Sequence, residues 1–491
     1  MNMKLFKIYA LSILAFAFPM LLANVYYIDD IGRSTSGYTK WGIDGRPVAD
    51  MIMSSLNLSS HLVDLFPLPL LLSIACLSFT LLMFKDIFIG NGRLSFVVPI
   101  AFLCNPFFLE VLSYRFDVLT ISIGVMCSFL SFKRLFSISW INFCAQTILI
   151  TIVFCTYQPI INIVIILCAL EIFSKMRNNI SPIDIICNSI LRVTQLIASS
   201  LLYIKVILPI TFVGIHSTSH PSISKNVSST LLENINSYYT FIVNNYFFSY
   251  GGVLLACAYI LSLLLTAYLV FSYIKDRKGE NTFLLISLSI IALFATIISP
   301  LLSMFSLLFL EHPLTTFSRV YIGFGGYFLF LFSLLYYTIN KIRANFLIAI
   351  ITVPFMYSMI LSYAYGNAIR EQDKIDEDLI SEIKSSTSDY PYNSMYIVFN
   401  GSPMKSAVFD NTVKNYPLIK YLVVDYFSNW YWPFRKMMIN GYRQLYPSKQ
   451  SGIVKESLSK VCDFTVSKKN QDFNILIKDN VIIIDFDKVK C

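Results

Sequence analysis

Residues 250–278 read YGGVLLACAYILSLLLTAYLVFSYIKDRK, a mostly apolar run that ends on Lys275, Arg277 and Lys278. A helix needs about 20 such residues to cross the hydrocarbon core of a bilayer. A burst of cations at one end marks the side on which it stops. The same pattern recurs along the first 365 residues, with candidate spans at about 5–25, 66–84, 94–109, 118–132, 137–156, 159–173, 190–213, 250–274, 282–308, 320–340 and 344–364. Composition agrees. Of 491 residues 56% are hydrophobic and only 14% charged, against roughly 25% charged in soluble domains, which excludes a water-soluble globule. Met1–Tyr27 has the charge and apolar core of a signal peptide, but Leu21 and Ala23 make a poor cleavage site, so it reads as an uncleaved first span.

Charge is distributed unevenly. Residues 366–491 hold 17 Lys/Arg and 15 Asp/Glu, the composition of a solvated domain. The expected fold is therefore mainly α: a polytopic transmembrane helical bundle of about 11 spans over residues 1–365, with a large first outer loop at 26–65, then a C-terminal periplasmic α/β domain over 366–491. In the tail a charged helix is expected at Glu371–Lys384. Strands are expected at Met395–Phe399, Leu422–Val424, Phe473–Ile477 and Val481–Phe486, the last two joined across Lys478-Asp479-Asn480.

The connecting loops fall into two sets. One carries 13 basic residues against Asp86, Asp184, Asp276 and Glu280. The other carries Arg33, Lys40, Arg46, Arg115, Lys225 and Arg319 against nine acids. The positive-inside rule places the first set and the N-terminus in the cytoplasm, and an odd number of spans places the tail outside. The net charge of +9 thus reports sidedness and implies no nucleic-acid partner. Eight of the ten cysteines lie in or beside apolar runs, where Cys behaves as a small hydrophobe. Cys462 and Cys491 remain in the tail, where an oxidising compartment leads us to expect a disulfide.

No phosphate-binding loop, dinucleotide fingerprint, HExxH or GxSxG occurs. His216 and His220 have helical spacing, but Pro221 and the Ser/Thr around them argue for a loop; no cofactor is expected and no ligand cluster demands a metal, whose use stays open. Gly323-Phe324-Gly325-Gly326 sits in a span and reads as helix packing. The informative segments are on the outer side. The first loop holds Asp29-Asp30, Arg33, Trp41 and Gly45-Arg46-Pro47; the second holds Glu110 and Ser113-Tyr114-Arg115-Phe116-Asp117; the third holds Ser318-Arg319. Each has a bland reading as well: a solvated helix end for Asp29-Asp30, a mutual Arg115–Asp117 pair, and snorkelling for Arg319. Tyr157-Gln158-Pro159 reads as a packing kink.

A periplasmic transferase has no nucleotide sugar to draw on and must use a donor that lipid has carried across. Polyprenyl-phosphate sugar fits. Its phosphate leaving group is already a stable anion and asks for Arg rather than a general acid, while the acceptor hydroxyl asks for one carboxylate base. Two opposed hydrolytic carboxylates fit less well, because Asp29 and Asp30 are chain neighbours.

At these same residues the chain resembles the type-specific O-antigen glucosyltransferases of serotype-converting bacteriophages. The resemblance is strongest over Tyr27–Met51, with further agreement at Ser113–Asp117 and Ser318-Arg319. It implies a GT-C type membrane enzyme that takes glucose from undecaprenyl-phosphate-glucose and attaches it to a sugar of the lipid-linked O-antigen, with a donor synthase and a donor flippase as partners. Carried over to matching positions, it makes Asp29 and Asp30 the catalytic carboxylates, and Arg46, Arg115 and Arg319 the donor-phosphate ligands. Arg33, Trp41, Tyr114 and Asp117 become sugar or acceptor contacts, and the tail becomes the part that varies with acceptor. The competing readings are a lipid-linked oligosaccharide transporter or flippase, which should carry ionisable groups near the bilayer midplane, and an O-antigen polymerase or ligase, which should carry a large late outer loop.

Overall fold

The computed structural model describes residues 2–92, 94–213, 221–247, 250–277, 279–338, 344–447 and 452–490. His216, His220 and Cys491, and with Cys491 the expected disulfide, lie outside these. The chain divides into two compact units. The first comprises Met1–Leu21, Thr39–Ser60 and Leu65–Tyr363; the second comprises Leu22–Tyr38, His61–Asp64 and Ala364–Cys491.

The first unit is helical. Among the described residues seven helices are long and apolar enough to cross a membrane: Met3–Ala23, Leu68–Ile89, Ser139–Thr156, Gln158–Arg177, Pro182–Thr211, Gly252–Asp276 and Ser318–Thr338. This is the mark of a membrane protein. Asp117–Leu130 and Thr282–Ile297 are apolar but shorter. Two expected spans differ from what forms, and proline is the reason in both. Residues 94–109 become a 3-10 helix at Val98–Cys104 and a separate helix at Phe108–Ser113, because Pro99 and Pro106 cannot supply interior N–H groups. Residues 282–308 end their first helix at Ile297, ahead of Ser299-Pro300. The apolar residues after 344 run without a break into the charged stretch as one helix, Ala344–Ser386.

The glycines of the Gly323–Gly326 segment serve close packing. A Cβ on Gly323 would collide with the Ser303 carbonyl oxygen, and one on Gly326 with Ile166 of the adjacent helix. Small residues there let Gly323–Thr338 lie against Ile161–Arg177.

The second unit carries a four-stranded sheet: β1 Tyr396–Asn400, β2 Thr465–Lys469, β3 Asn474–Lys478 and β4 Val481–Asp485, in the order β1-β4-β3-β2. β1 and β4 are parallel, with Val398 opposite Ile483; β3 and β4 are antiparallel, with Lys478 opposite Val481. The Asp479-Asn480 loop between them is the tight two-residue turn its sequence implies, and Asp479 takes φ 52°. One face of the sheet packs Ile397, Phe399, Ile475, Ile482 and Ile484 against Leu379, Ile380 and Ile383 of the long helix and against Phe434 and Met437. The other face packs Val398, Leu476 and Ile483 against the helix Ile453–Ser459. A central strand covered on both sides reads as a continuous apolar run rather than an alternation, as Val481–Ile484 does. Leu422–Val424 is not a strand: Ile419–Leu422 is a short helix, and Pro417, too near for a longer one, is followed at once by that turn. Short apolar runs leave helix and strand ambiguous.

Candidate active site

Asp29, Asp30 and Arg33 belong to the second unit; Trp41, Arg46, Tyr114, Arg115, Asp117 and Arg319 belong to the first. Six of the nine are buried, among them Asp30 and Trp41 at 0% exposed, Asp117 at 2%, Arg33 at 4% and Arg115 at 7%, while Asp29, Arg46 and Arg319 are half-buried. Burying charge is costly without partners, so the partners define what each group can do.

In the second unit Asp29 and Asp30 open the helix Asp29–Ser36. The helix ends at Gly37, whose φ of 61° is the left-handed conformation a helix stop favours; Gly37 N–H donates to the Arg33 carbonyl at 2.8 Å. The residue before the pair, Ile28, has φ 48° and ψ −105°. A β-branched residue at positive φ is strained by about 1–3 kcal/mol and must be held by its surroundings. Tyrosines hold it. Ile28 N–H donates to the Tyr426 hydroxyl at 3.1 Å, and that hydroxyl donates to the Tyr26 carbonyl at 3.2 Å. The Tyr27 hydroxyl donates to the Leu422 carbonyl at 3.0 Å. The two aspartates then differ: Asp30 is fully buried and Asp29 half-buried. The Tyr431 hydroxyl donates to Asp29 Oδ1 at 2.9 Å. Burial and the Asp29 carboxylate push the Tyr431 phenol up, so it stays a proton donor. Tyr38 hydrogen-bonds Tyr431, and the Arg33 guanidinium lies over the Tyr38 ring at 5.8 Å.

In the first unit the Gly45-Arg46-Pro47 motif is turn chemistry. Gly45 closes the 3-10 turn Gly42–Asp44 with φ 76°, and Pro47 starts the helix Pro47–Asn57. Asp50 accepts from the Trp41 and Gly42 amides, and the Tyr203 hydroxyl donates to the Gly45 carbonyl at 2.9 Å. This frame directs Trp41 Nε1 onto Asp117 Oδ1 at 2.7 Å and sets Arg46 Nη1 3.5 Å from the same oxygen. Arg46 also pairs with Asp44 at 3.7 Å. Glu110 accepts the Arg319 backbone N–H at 2.8 Å, and Arg319 Nε lies 3.8 Å from its other oxygen. Burial pushes the Glu110 carboxyl up, against the pull of Arg319 and the amides of Arg319 and Ser318. The Arg319 guanidinium covers the Tyr114 ring at 4.6 Å, and that of Arg115 covers Phe66 at 4.6 Å.

Tyr157, whose sequence reads as a packing kink, lies within the electrostatic reach of Arg319, Glu110, Arg46 and Asp117. Tyr426, Tyr431 and Arg435 carry no local charge or span signal of that kind. The consecutive rings of Trp430-Tyr431-Trp432, with two of the chain's four tryptophans, were the available signal. Among the described residues no group of three or more His, Cys, Asp and Glu is arranged to hold a metal.

The model of the family described as glucosyl transferase GtrII matches residues 18–332, a range that contains every one of these candidate residues up to Arg319. The chain belongs to this family. It is a glycosyltransferase, acting with a sugar donor and an acceptor. It is also similar to a protein of Salmonella phage P22 described as an uncharacterized 55.3 kDa protein in the gtrB 5' region, 29% identical over 447 residues, covering 88% of this chain and 89% of that protein. No solved structure matches.

Proposed function

We propose that this glucosyltransferase is a GT-C type enzyme of the bacterial inner membrane that takes glucose from undecaprenyl-phosphate-glucose and attaches it to a sugar of the lipid-linked O-antigen, at the periplasmic face, so converting serotype. The family membership over residues 18–332 carries this reading. The two-unit division supports a membrane part and a C-terminal domain with separate tasks.

In the proposed reaction a carboxylate of the Asp29-Asp30 pair takes the proton of the acceptor hydroxyl. The hydroxyl oxygen forms a bond to glucose C1 as the bond from C1 to the phosphate oxygen breaks, and polyprenyl phosphate leaves with its negative charge. Asp29 is the better-placed base, being half-buried and pre-aligned by Tyr431; buried Asp30 holds the turn. Arg46, Arg115 and Arg319 meet the phosphate charge, each presenting a planar fork of donors. Asp117 contacts the sugar, and Trp41 acts through it by fixing its oxygen; Arg33 and Tyr114 complete the sugar and acceptor contacts. A donor synthase and a donor flippase supply the substrate.

The test is Asp29→Asn and Asp30→Asn, made singly in cells that assemble the lipid-linked acceptor, with glucose on the surface polysaccharide as the readout. Loss of a general base costs about 10²–10⁴ in rate, so Asp29→Asn should abolish modification at normal protein level. Undiminished glucosylation by both variants would overturn the assignment.

A further inference from the structure

We propose that Trp430, Tyr431 and Trp432 form a stacking shelf for the pyranose rings of the acceptor glycan, an inference that rests on the proposed glucosyl transfer. The three rings contact one another with centroids 5.7, 5.9 and 6.3 Å apart and interplanar angles of 51–68°. Tilted in this way, they do not cover one another's faces. They are consecutive at the start of the helix Tyr431–Ile439, whose core-facing residues are Phe434 and Met437. All three stay partly exposed and outside that core. The shelf is held rigid. Just before it, the Asn429 side chain exchanges two 2.8 Å hydrogen bonds with the Phe399 main chain of β1. Within it, Tyr431 is tied to Asp29.

A pyranose ring has an apolar C–H face and a hydroxyl rim. It therefore fits a site with aromatic faces in the middle and hydrogen-bonding groups at the edge. The edge groups are present within this unit: Asp29, Tyr38, and Arg435 one helical turn after Tyr431. The link through Tyr431 sets a sugar on the shelf beside the carboxylate proposed as base. The rival occupant is a lipid headgroup region, where Trp and Tyr also gather.

The full-length protein in phosphatidylethanolamine/phosphatidylglycerol nanodiscs separates these. The probe is the oligosaccharide released by mild acid from the host's own O-antigen. It is titrated both as acceptor under saturating donor and as a ligand in direct binding. Trp430→Ala and Trp432→Ala should each raise acceptor KM and the binding Kd about 2- to 12-fold, the range expected for one aromatic contact, with donor KM unchanged. Trp430→Phe, which keeps a ring, should recover most of the loss. Unchanged binding in both alanine variants, or donor and acceptor KM rising together, would overturn the shelf. So would tryptophan emission in this run that shifts with the nanodisc lipid but not with added glycan. Direct binding keeps the two proposals apart. Glycan binding that depends on Trp430 in a protein that transfers no glucose upholds the shelf and removes the function, while transfer that ignores Trp430 does the reverse.

Discussion

Each unit buries charged groups, and Lys436 in one and the candidate-site arginines in the other are paired in opposite ways. In the second unit Lys436 sits between Asp376 at 2.7 Å and Asp373 at 2.8 Å, with the Tyr426 ring 4.7 Å away. Its side chain is 7% exposed, and the ammonium's hydrogens go to neighbouring residues. In the first unit Arg46 and Arg319 are 12% and 20% exposed, with carboxylates at 3.5–3.8 Å rather than at close contact, and they cover aromatic rings or bridge two acids. An ion pair is therefore no sign of a site by itself. The closed lysine has the geometry of a structural pin beneath the tyrosine that holds the Asp29-Asp30 turn, whereas the guanidinium groups of Arg46 and Arg319 are held more loosely.

Three substitutions sharpen or break that contrast. The largest effect belongs to Lys436→Met, which leaves two carboxylates facing each other in a buried place. Losing one partner of such a pair costs about 3–5 kcal/mol, read as a fall in melting temperature of the purified full chain. The pH dependence has a defined sign. Burial works against the ammonium, but Asp376 and Asp373 outweigh it and raise Lys436 above its ordinary value of 10.5. The stability it supplies is thus complete below that ordinary value and is lost as pH rises through the raised one. The wild-type melt should fall on that alkaline limb and the methionine variant should not follow; a parallel fall in both would make Lys436 a bystander.

Trp41→Phe is next. It keeps the ring but removes the 2.7 Å donation to Asp117, a bond to a charged group worth about 1.5–3 kcal/mol. Since Arg46 shares that oxygen, transfer should drop by about 10- to 100-fold at a nearly unchanged expression level. Activity within twofold of wild type would detach Asp117 from the sugar contact. The smallest effect is expected from Arg319→Lys. The charge stays, the planar fork is lost, and donor KM should rise several-fold while acceptor KM holds. Donor kinetics unchanged by this variant would place Arg319 with Lys436, as structure.

Much of the fold is legible in one dimension because its signals are local. Apolar runs of spanning length, the cationic bursts that end them and the charged tail depend only on neighbours in the chain. The tail's strands were legible where side chains are buried, as at Val481–Ile484, and illegible where they are not. β2, Thr465–Lys469, is almost wholly exposed, with Lys468 and Lys469 of the kind that keeps an edge strand from pairing with strangers. Proline broke two expected spans because a run of correct length and hydropathy does not report where N–H groups are missing.

The candidate site was legible as a set of residues and illegible as an arrangement. Asp29-Asp30, Arg46, Asp117 and Arg319 stood out as charges next to apolar runs, since charge at such places is costly and conspicuous. Their partners did not stand out. Trp41 meets Asp117 across 76 positions and Tyr431 meets Asp29 across 402. The sequence by itself determined that this is a membrane protein with a charged C-terminal part and acid–arginine clusters on the segments between spans. Only the tertiary structure decided which aspartate is half-open, which tyrosines hold its strained turn and which cation is spent as a pin. Hydropathy and charge are properties of each residue where it stands, whereas a hydrogen bond belongs to a pair that the chain's path alone brings within 3 Å.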